Sequence, residues 1–321
     1  MAIVAGIDEA GYGPIIGPLV VSVAVFRVPD DLAGRSLWRA LAGAVTRKSL
    51  RRSAALPVAD SKAMHVRKDG VIHLERGVLG MLRQLGTSPG SLREFLRRTA
   101  PGALEPMNRY PWYRGADLRL PRQADVMDLA LRANALTEAM RHRGISLEAI
   151  RAEPVLAGDY NRLVTATRNK SVALFGVTSR LISYVFHTHS GPGPAQIIID
   201  RQGGRVRYLR QIQRMFEAAE IKIADESDRA SVYLVRDRNR SAEIRFLTEA
   251  ESASLPVALA SMVSKYVREL FMELLNRWWA ERIQGLKATA GYYTDGRRFL
   301  KDIDQALSDE PTYKPLLIRC R

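Results

Sequence analysis

Only one cysteine, Cys320, is present, so no disulfide can form within the chain, and a reducing, cytoplasmic setting is expected. With five histidines besides, the chain offers no Cys/His set of the kind a zinc site uses. Long hydrophobic runs are missing too. The longest apolar stretch, Ile15 to Phe26, carries Pro18 and Ser22 and is too short to span a bilayer. The opening residues, MAIVAGIDEAG, reach acidic side chains before a signal-peptide pattern develops, so no targeting segment is expected. There is no internal repeat and no low-complexity tract. Lysine is scarce: of 49 basic residues nine are Lys and forty are Arg. Against 34 acids these give a net charge of +15, and the isoelectric point is near 10.2. Hydrophobic residues at 46% and charged residues at 26% exclude a disordered or fibrous chain. A basic, arginine-rich globular protein points first to nucleic acid, since Arg is the better bidentate partner for phosphate.

The 321 residues suffice to bury a sizeable core. Residues 2–8, AIVAGID, read as a strand that runs into the Gly/Pro-rich turn GYGPIIGP, and LVVSVAVFRV, 19–28, reads as a second, internal strand. PDD at 29–31 and LWRALAGAV suggest a turn and a helix, and a further helix should end near Gly86. From about 87 to 145 five prolines interrupt the periodicity before a helix over 124–142, so this stretch is expected to be an insertion or lid. NKSVALFGVTSRLISYVFHTH then reads as a helix, with apolar positions at 172, 174, 177, 181 and 185. AQIIID, 195–200, reads as a short strand ending on an acid, and Val206, Leu209, Ile212 and Phe216 have helical spacing. EIKIAD, SVYLVRD and AEIRFLTEA are strand-like, the last two joined by RNRS. The longest helix signal covers 256–283, opened by Ser254 as N-cap with Pro256 in the first turn, and begins a helical C-terminal part. The pattern is α/β or α+β around one main core, a single domain over 1–321.

Asp8 and Glu9 close an apolar strand, and Asp200 closes another. Acids at strand ends can converge above a sheet edge and hold a divalent cation through oxygen ligands; taken alone, each reads more readily as a solvated residue opening a turn. Neighbouring strand residues point to opposite faces, so Asp8 and Glu9 share a site only if the chain bends at Ala10–Gly11. Pattern alone leaves the two readings open.

GIDEAGYGPIIGPLVVSVAVF, 6–26, closely resembles the opening of type 2 ribonucleases H, the ribonuclease HII family, in which an Asp-Glu pair precedes a Gly-Arg-Gly loop and a second strand. Further similarities follow in the family's order: ADSKAM at 59–64, IIIDRQGG at 197–204, ALASMVSKYVRE at 258–269 and, more weakly, GYYT at 291–294. The resemblance covers roughly 1–85 and 146–300 and leaves 87–145 unmatched. It implies a ribonuclease H-like fold, a mixed central sheet flanked by helices. It further implies a metal-dependent endonuclease cutting the RNA strand of RNA–DNA hybrids, with ribonucleotides embedded in DNA as a further substrate class. Carried over by position, the catalytic, metal-binding carboxylates are expected to be Asp8, Glu9, Asp200 and Glu269, holding Mg2+ or Mn2+ in a two-metal arrangement. Substrate contacts are expected from Gly11, Tyr12, Gly13, Ser61, Lys62, Lys265 and Tyr292. Two departures stand out: Glu269 replaces an Asp, and Tyr12 replaces the loop Arg. They keep two rivals open, a non-catalytic nucleic-acid-binding relative and a metal nuclease of the same fold acting on other structured nucleic acid. No protein partner is readable, and a monomer is expected.

Other candidates have competing structural readings. His187 and His189 read more readily as a polar helix end than as a ligand pair. Trp112 and Tyr113 among arginines 109, 114, 119 and 122 suit either strand stacking or a packed cover. Arg201, Arg205, Arg207, Arg210 and Arg214 either steer phosphates or form a solvated face, and Trp278 and Trp279 read as core and rim.

Overall fold

The computed structural model describes residues 1–48, 54–64 and 69–320. Seven strands form one mixed sheet: β1 (Ala2–Ala10), β2 (Leu19–Val28), β3 (Ser146–Val155), β4 (Ala195–Asp200), β5 (Glu220–Glu226), β6 (Ala230–Asp237) and β7 (Arg240–Leu247). Their order is β3-β2-β1-β4-β7-β6-β5. β1 pairs antiparallel with β2 but parallel with β4, and β4 is parallel to β7. The expected fold class, a mixed sheet flanked by helices, is therefore the one found.

The helices that matter here are α1 (Ser61–Met64), α2 (Ile72–Leu82), α3 (Leu92–Thr99), α4 (Val126–Arg143), α5 (Ala157–Thr167), α6 (Lys170–Thr188), α7 (Leu209–Met215), α8 (Ala250–Ala253), α9 (Leu255–Ala280) and α10 (Tyr293–Asp302). Strand alternation divides β1 between two cores. Ala2 and Val4 face a cluster with α9, α2 and α3, whereas Ile3, Ala5 and Ile7 face one with α6 and α7. Both faces of β2 are buried, which is why its sequence is a nearly unbroken apolar run. α9 lies directly on β1. A Cβ at Gly6 would stand 2.1 Å from the Val257 nitrogen, so only glycine admits this approach.

The 87–145 stretch, expected as an insertion or lid, packs on the main core. Phe95, Tyr110, Trp112 and Tyr113 are buried in the same cluster as α9, and Trp112 is only 2% exposed. Its aromatics pack as a cover; the strand-stacking reading is corrected by that burial. Glu75 on α2 ties the segment down from inside the core. Its carboxylate accepts the backbone N–H groups of Gln123 (2.7 Å), Ala124 (2.8 Å) and Arg122, and the Tyr266 hydroxyl (2.8 Å). A fully buried acid is tolerated because donors surround it. Among the described residues no helix is long and apolar enough to cross a membrane.

Candidate active site

The parallel strands β1, β4 and β7 all end at one edge of the sheet. The register pairs Ile7 with Ile199 and Asp200 with Leu247, so Asp8 and Asp200 come out side by side and the chain after β7 turns over them. Carboxyl ends of parallel strands are where open α/β sheets place ligands. Asp8 points toward α9 and is hydrogen-bonded by Ser261, whose hydroxyl oxygen lies 3.0 Å from that of Ser61. Ser264 donates to the Asp8 carbonyl (3.0 Å) and lies 2.8 Å from the Ser22 hydroxyl. Asp200 accepts the Ala250 N–H (2.8 Å) and so caps α8, whose second residue is Glu251.

Glu251 is the acid that sequence reasoning missed. It is buried, it hydrogen-bonds to the Asp200 carboxyl, and its Oε1 lies 3.8 Å from Lys62 Nζ. Carboxyls this close disfavour one another's charge. Burial, the charge of Glu9 and the charge of Asp200 push Asp8 well above the usual carboxylate range. Burial and the charge of Asp200 push Glu9 to about 8, and burial and Glu251 push Asp200 to about 7. Lys62 is raised, because the attraction of Asp60, Glu251, Asp8 and Asp200 outweighs its burial.

Glu269 does not join this group. Its Oε1 is 2.8 Å from Lys265 Nζ and 3.6 Å from Arg268 Nη1. It lies two helical turns beyond Ser261 along α9, ~12 Å of rise, past the end of β1. Glu269, expected as the fourth carboxylate, is thus ion-paired with Lys265, which was expected to contact substrate.

The loop expected to touch substrate begins at Gly11, where φ is +85° and a Cβ would stand 2.5 Å from the Pro18 carbonyl oxygen. β1 stays in regular register with β2 through Ala10, so this turn lies just beyond both acids and carries the chain off the sheet edge. Tyr12 is partly buried against the second cluster, and Gly13 is exposed with open space around it. Tyr292 stands beside the loop, since the Ile15 and Ile16 N–H groups donate to Gly291 (2.9 and 3.2 Å), and its ring is half exposed. Ser61 is buried on Ser261 and positions it. Of the arginine run, Arg201 donates to the Ser227 carbonyl (2.9 Å) and Arg205 to Ser171 (2.7 Å), so these two hold backbone and helix. His189 bonds the Tyr184 hydroxyl (3.0 Å) and His187 packs beside Phe186 and Phe216, as a helix end does.

A divalent cation fits this donor set. Glu9 Oε2 and Glu251 Oε2 are buried oxygens without a hydrogen-bond partner, and the raised carboxyls are those a cation would return to the charged state. Among the described residues no three such side chains have converged on one metal position, so ligation requires the carboxylates to turn inward.

No protein-family model matches the chain, and no curated protein does. Several solved ribonucleases H are similar in structure. The ribonuclease HII of the PCNA:RNase HII complex from Archaeoglobus fulgidus is 15% identical with a TM-score of 0.44, over 99% of this chain and 94% of that one. Ribonuclease H2 from Pyrococcus horikoshii OT3 is 14% identical with a TM-score of 0.43, over 98% and 92%. Bst-RNase HIII in complex with Mn2+ is 16% identical with a TM-score of 0.44, over 99% of this chain and 66% of that one. At such identities and scores the functional argument rests on the site itself.

Proposed function

We propose that the protein is a metal-dependent nuclease of the ribonuclease H type, cutting the RNA strand of RNA–DNA hybrids. The observation that carries this reading is the acidic edge: Asp8, Glu9, Asp200 and Glu251 from β1, β4 and α8, with two buried oxygens left without partners. Structural acids are normally surrounded by donors, as Glu75 is; here Asp8, Glu9 and Asp200 raise one another, and Glu9 Oε2 and Glu251 Oε2 lack a hydrogen-bond partner. Asp8, Glu9, Asp200 and Glu251 would hold the cation, with Glu251 in the place the sequence had suggested for Glu269. Held by these carboxylates, Mg2+ or Mn2+ would supply the Lewis-acid chemistry of phosphodiester hydrolysis, activation of water and stabilisation of the leaving oxygen. Ser261 and Ser61 orient Asp8, and Ala250 N–H fixes one oxygen of Asp200. Lys62, with its amine extended into solvent beside Glu251, is placed to meet a backbone phosphate. The Gly11–Gly13 turn presents backbone donors, and the half-exposed Tyr292 ring offers a face for a sugar beside them.

The choice of hybrid over other nucleic acid rests on the sequence resemblance at 6–26, 59–64, 197–204 and 258–269. The non-catalytic alternative keeps its motive, because the fourth acid is a Glu at 251 as at 269 and Tyr12 stands where the family has Arg. A substrate panel of hybrid, single-ribonucleotide duplex, plain DNA duplex and branched DNA, with Mg2+ and with Mn2+, tests the reading. Cleavage of the hybrid supports it; cutting confined to branched or plain DNA, or none with either ion, refutes it.

A further inference from the structure

Arg319 lies 308 residues from Gly11 in the chain, yet its guanidinium donates to the Gly11 carbonyl and, at 3.1 Å, to the Tyr12 carbonyl. The side chain is 3% exposed and stacks on the Tyr160 ring, the guanidinium carbon 3.8 Å from its centroid. The backbone around it is equally fixed. Arg319 N–H donates to the Ile15 carbonyl (2.9 Å), Ile318 bridges Ile16, and Cys320 N–H donates to Asn161 Oδ1 (2.7 Å). Asn161 Nδ2 in turn donates to the Ile318 carbonyl (2.8 Å), tying the segment to α5. From the other side of the loop, the buried Arg268 donates to the Ala290 carbonyl (2.7 Å) and reaches Ile16 O (3.4 Å).

The consequence follows from peptide geometry. In a trans peptide the C=O and the following N–H point in opposite directions. With the Gly11 and Tyr12 carbonyls both drawn inward to one guanidinium, the Tyr12 and Gly13 N–H groups are turned to the opposite side. Two successive amides facing one way form a concave donor pair suited to an acceptor oxygen. We propose that Arg319 is a positioning residue: its fork holds the 11–13 turn in the conformation that presents these amides to an oxygen of the ribonucleotide strand. Lysine can substitute only in part, because one ammonium lacks the planar pair of donors that spans both carbonyls. The substrate half of this inference rests on the nuclease reading above.

Steady-state cleavage and hydrogen exchange on wild type, Arg319→Lys and Arg319→Ala test it. In Arg319→Ala the KM for hybrid should rise about tenfold or more while kcat stays within about threefold, with added methylguanidinium restoring part of the loss. Arg319→Lys should fall between the two. Exchange at amides 11–16 should quicken in Arg319→Ala while amides of β1 and β2 keep their protection. Unchanged exchange overturns the clamp. A loss of kcat that tracks falling Tm, with KM unmoved and no rescue, shows a merely structural residue and also overturns it. A wild type that neither binds nor cuts hybrid sinks the nuclease reading, whatever the exchange result at the loop.

Discussion

Neutralising one acid of the cluster should stabilise the metal-free protein, and only at high pH. Glu9 moves from an ordinary 4.5 to about 8, driven by burial and then by Asp200; Asp200 moves from 3.8 to about 7, driven by burial and then by Glu251. Both are raised in the folded state, so folding favours their protonated forms. That contribution is complete below about pH 4, where the unfolded chain is protonated too, and it is lost as pH rises through about 8. At ~1.4 kcal/mol per pH unit the Glu9 displacement alone corresponds to about 5 kcal/mol. The two acids raise each other, so their costs are not additive, and one neutral substitution should recover about 2–3 kcal/mol. At ~2 °C per kcal/mol for a chain of this size, Glu9→Gln should raise Tm by about 4–6 °C at pH 8.5 and by almost nothing at pH 4.5. The assay is thermal unfolding in chelator across that range. Adding Mn2+ at pH 8.5 should raise the wild-type Tm and narrow the gap, since ligand bound only to the folded state stabilises it. A Glu9→Gln protein that is less stable than wild type at pH 8.5, or equally shifted at both pH values, would refute the reasoning.

Two further substitutions probe the frame that holds the edge. Gly6→Ala places a methyl 2.1 Å from the Val257 nitrogen and should destabilise by about 3 kcal/mol or more as α9 is forced off β1, read by chemical denaturation; an unchanged midpoint contradicts the packing described. Glu75→Ala removes the acceptor of three N–H groups and the Tyr266 hydroxyl and should cost about 3–5 kcal/mol, with faster exchange at amides 122–124; a loss below about 1 kcal/mol would mean the acid does not anchor that segment.

How much of this the sequence carried depended on how each residue is covered. AQIIID and LVVSVAVFRV are strands at the expected residues, because buried strands leave continuous apolar runs. β3 was not read as a strand, since Glu148, Arg151 and Glu153 interrupt an edge strand that is only partly covered. α5 was missed as well; its apolar positions at Tyr160 and Val164 are few for its length. Asp8, Glu9 and Asp200 stood out because each closes an apolar strand, but only the resemblance at 6–26 and 197–204 chose the metal-binding reading over a solvated turn. Glu251 was hidden for a related reason. AEIRFLTEA reads as one strand through 250, whereas β7 stops at Leu247 and the following turn lifts Glu251 over Asp200. The signal available was the pairing of β7 beside β4, which a linear pattern does not contain. Glu269 drew attention through the resemblance of ALASMVSKYVRE to a family motif, whereas along α9 it lies two turns beyond Ser261 and pairs with Lys265. Arg319 gave no local signal at all; its contacts are made across the whole chain.

The most direct test is hybrid cleavage in Mn2+ by wild type, Glu251→Gln and Glu269→Gln, each shown folded by its Tm. The acidic edge described predicts that wild type cuts the RNA strand, that Glu251→Gln loses at least ~100-fold, and that Glu269→Gln keeps most of its rate. A fully active Glu251→Gln beside an inactive Glu269→Gln would contradict it.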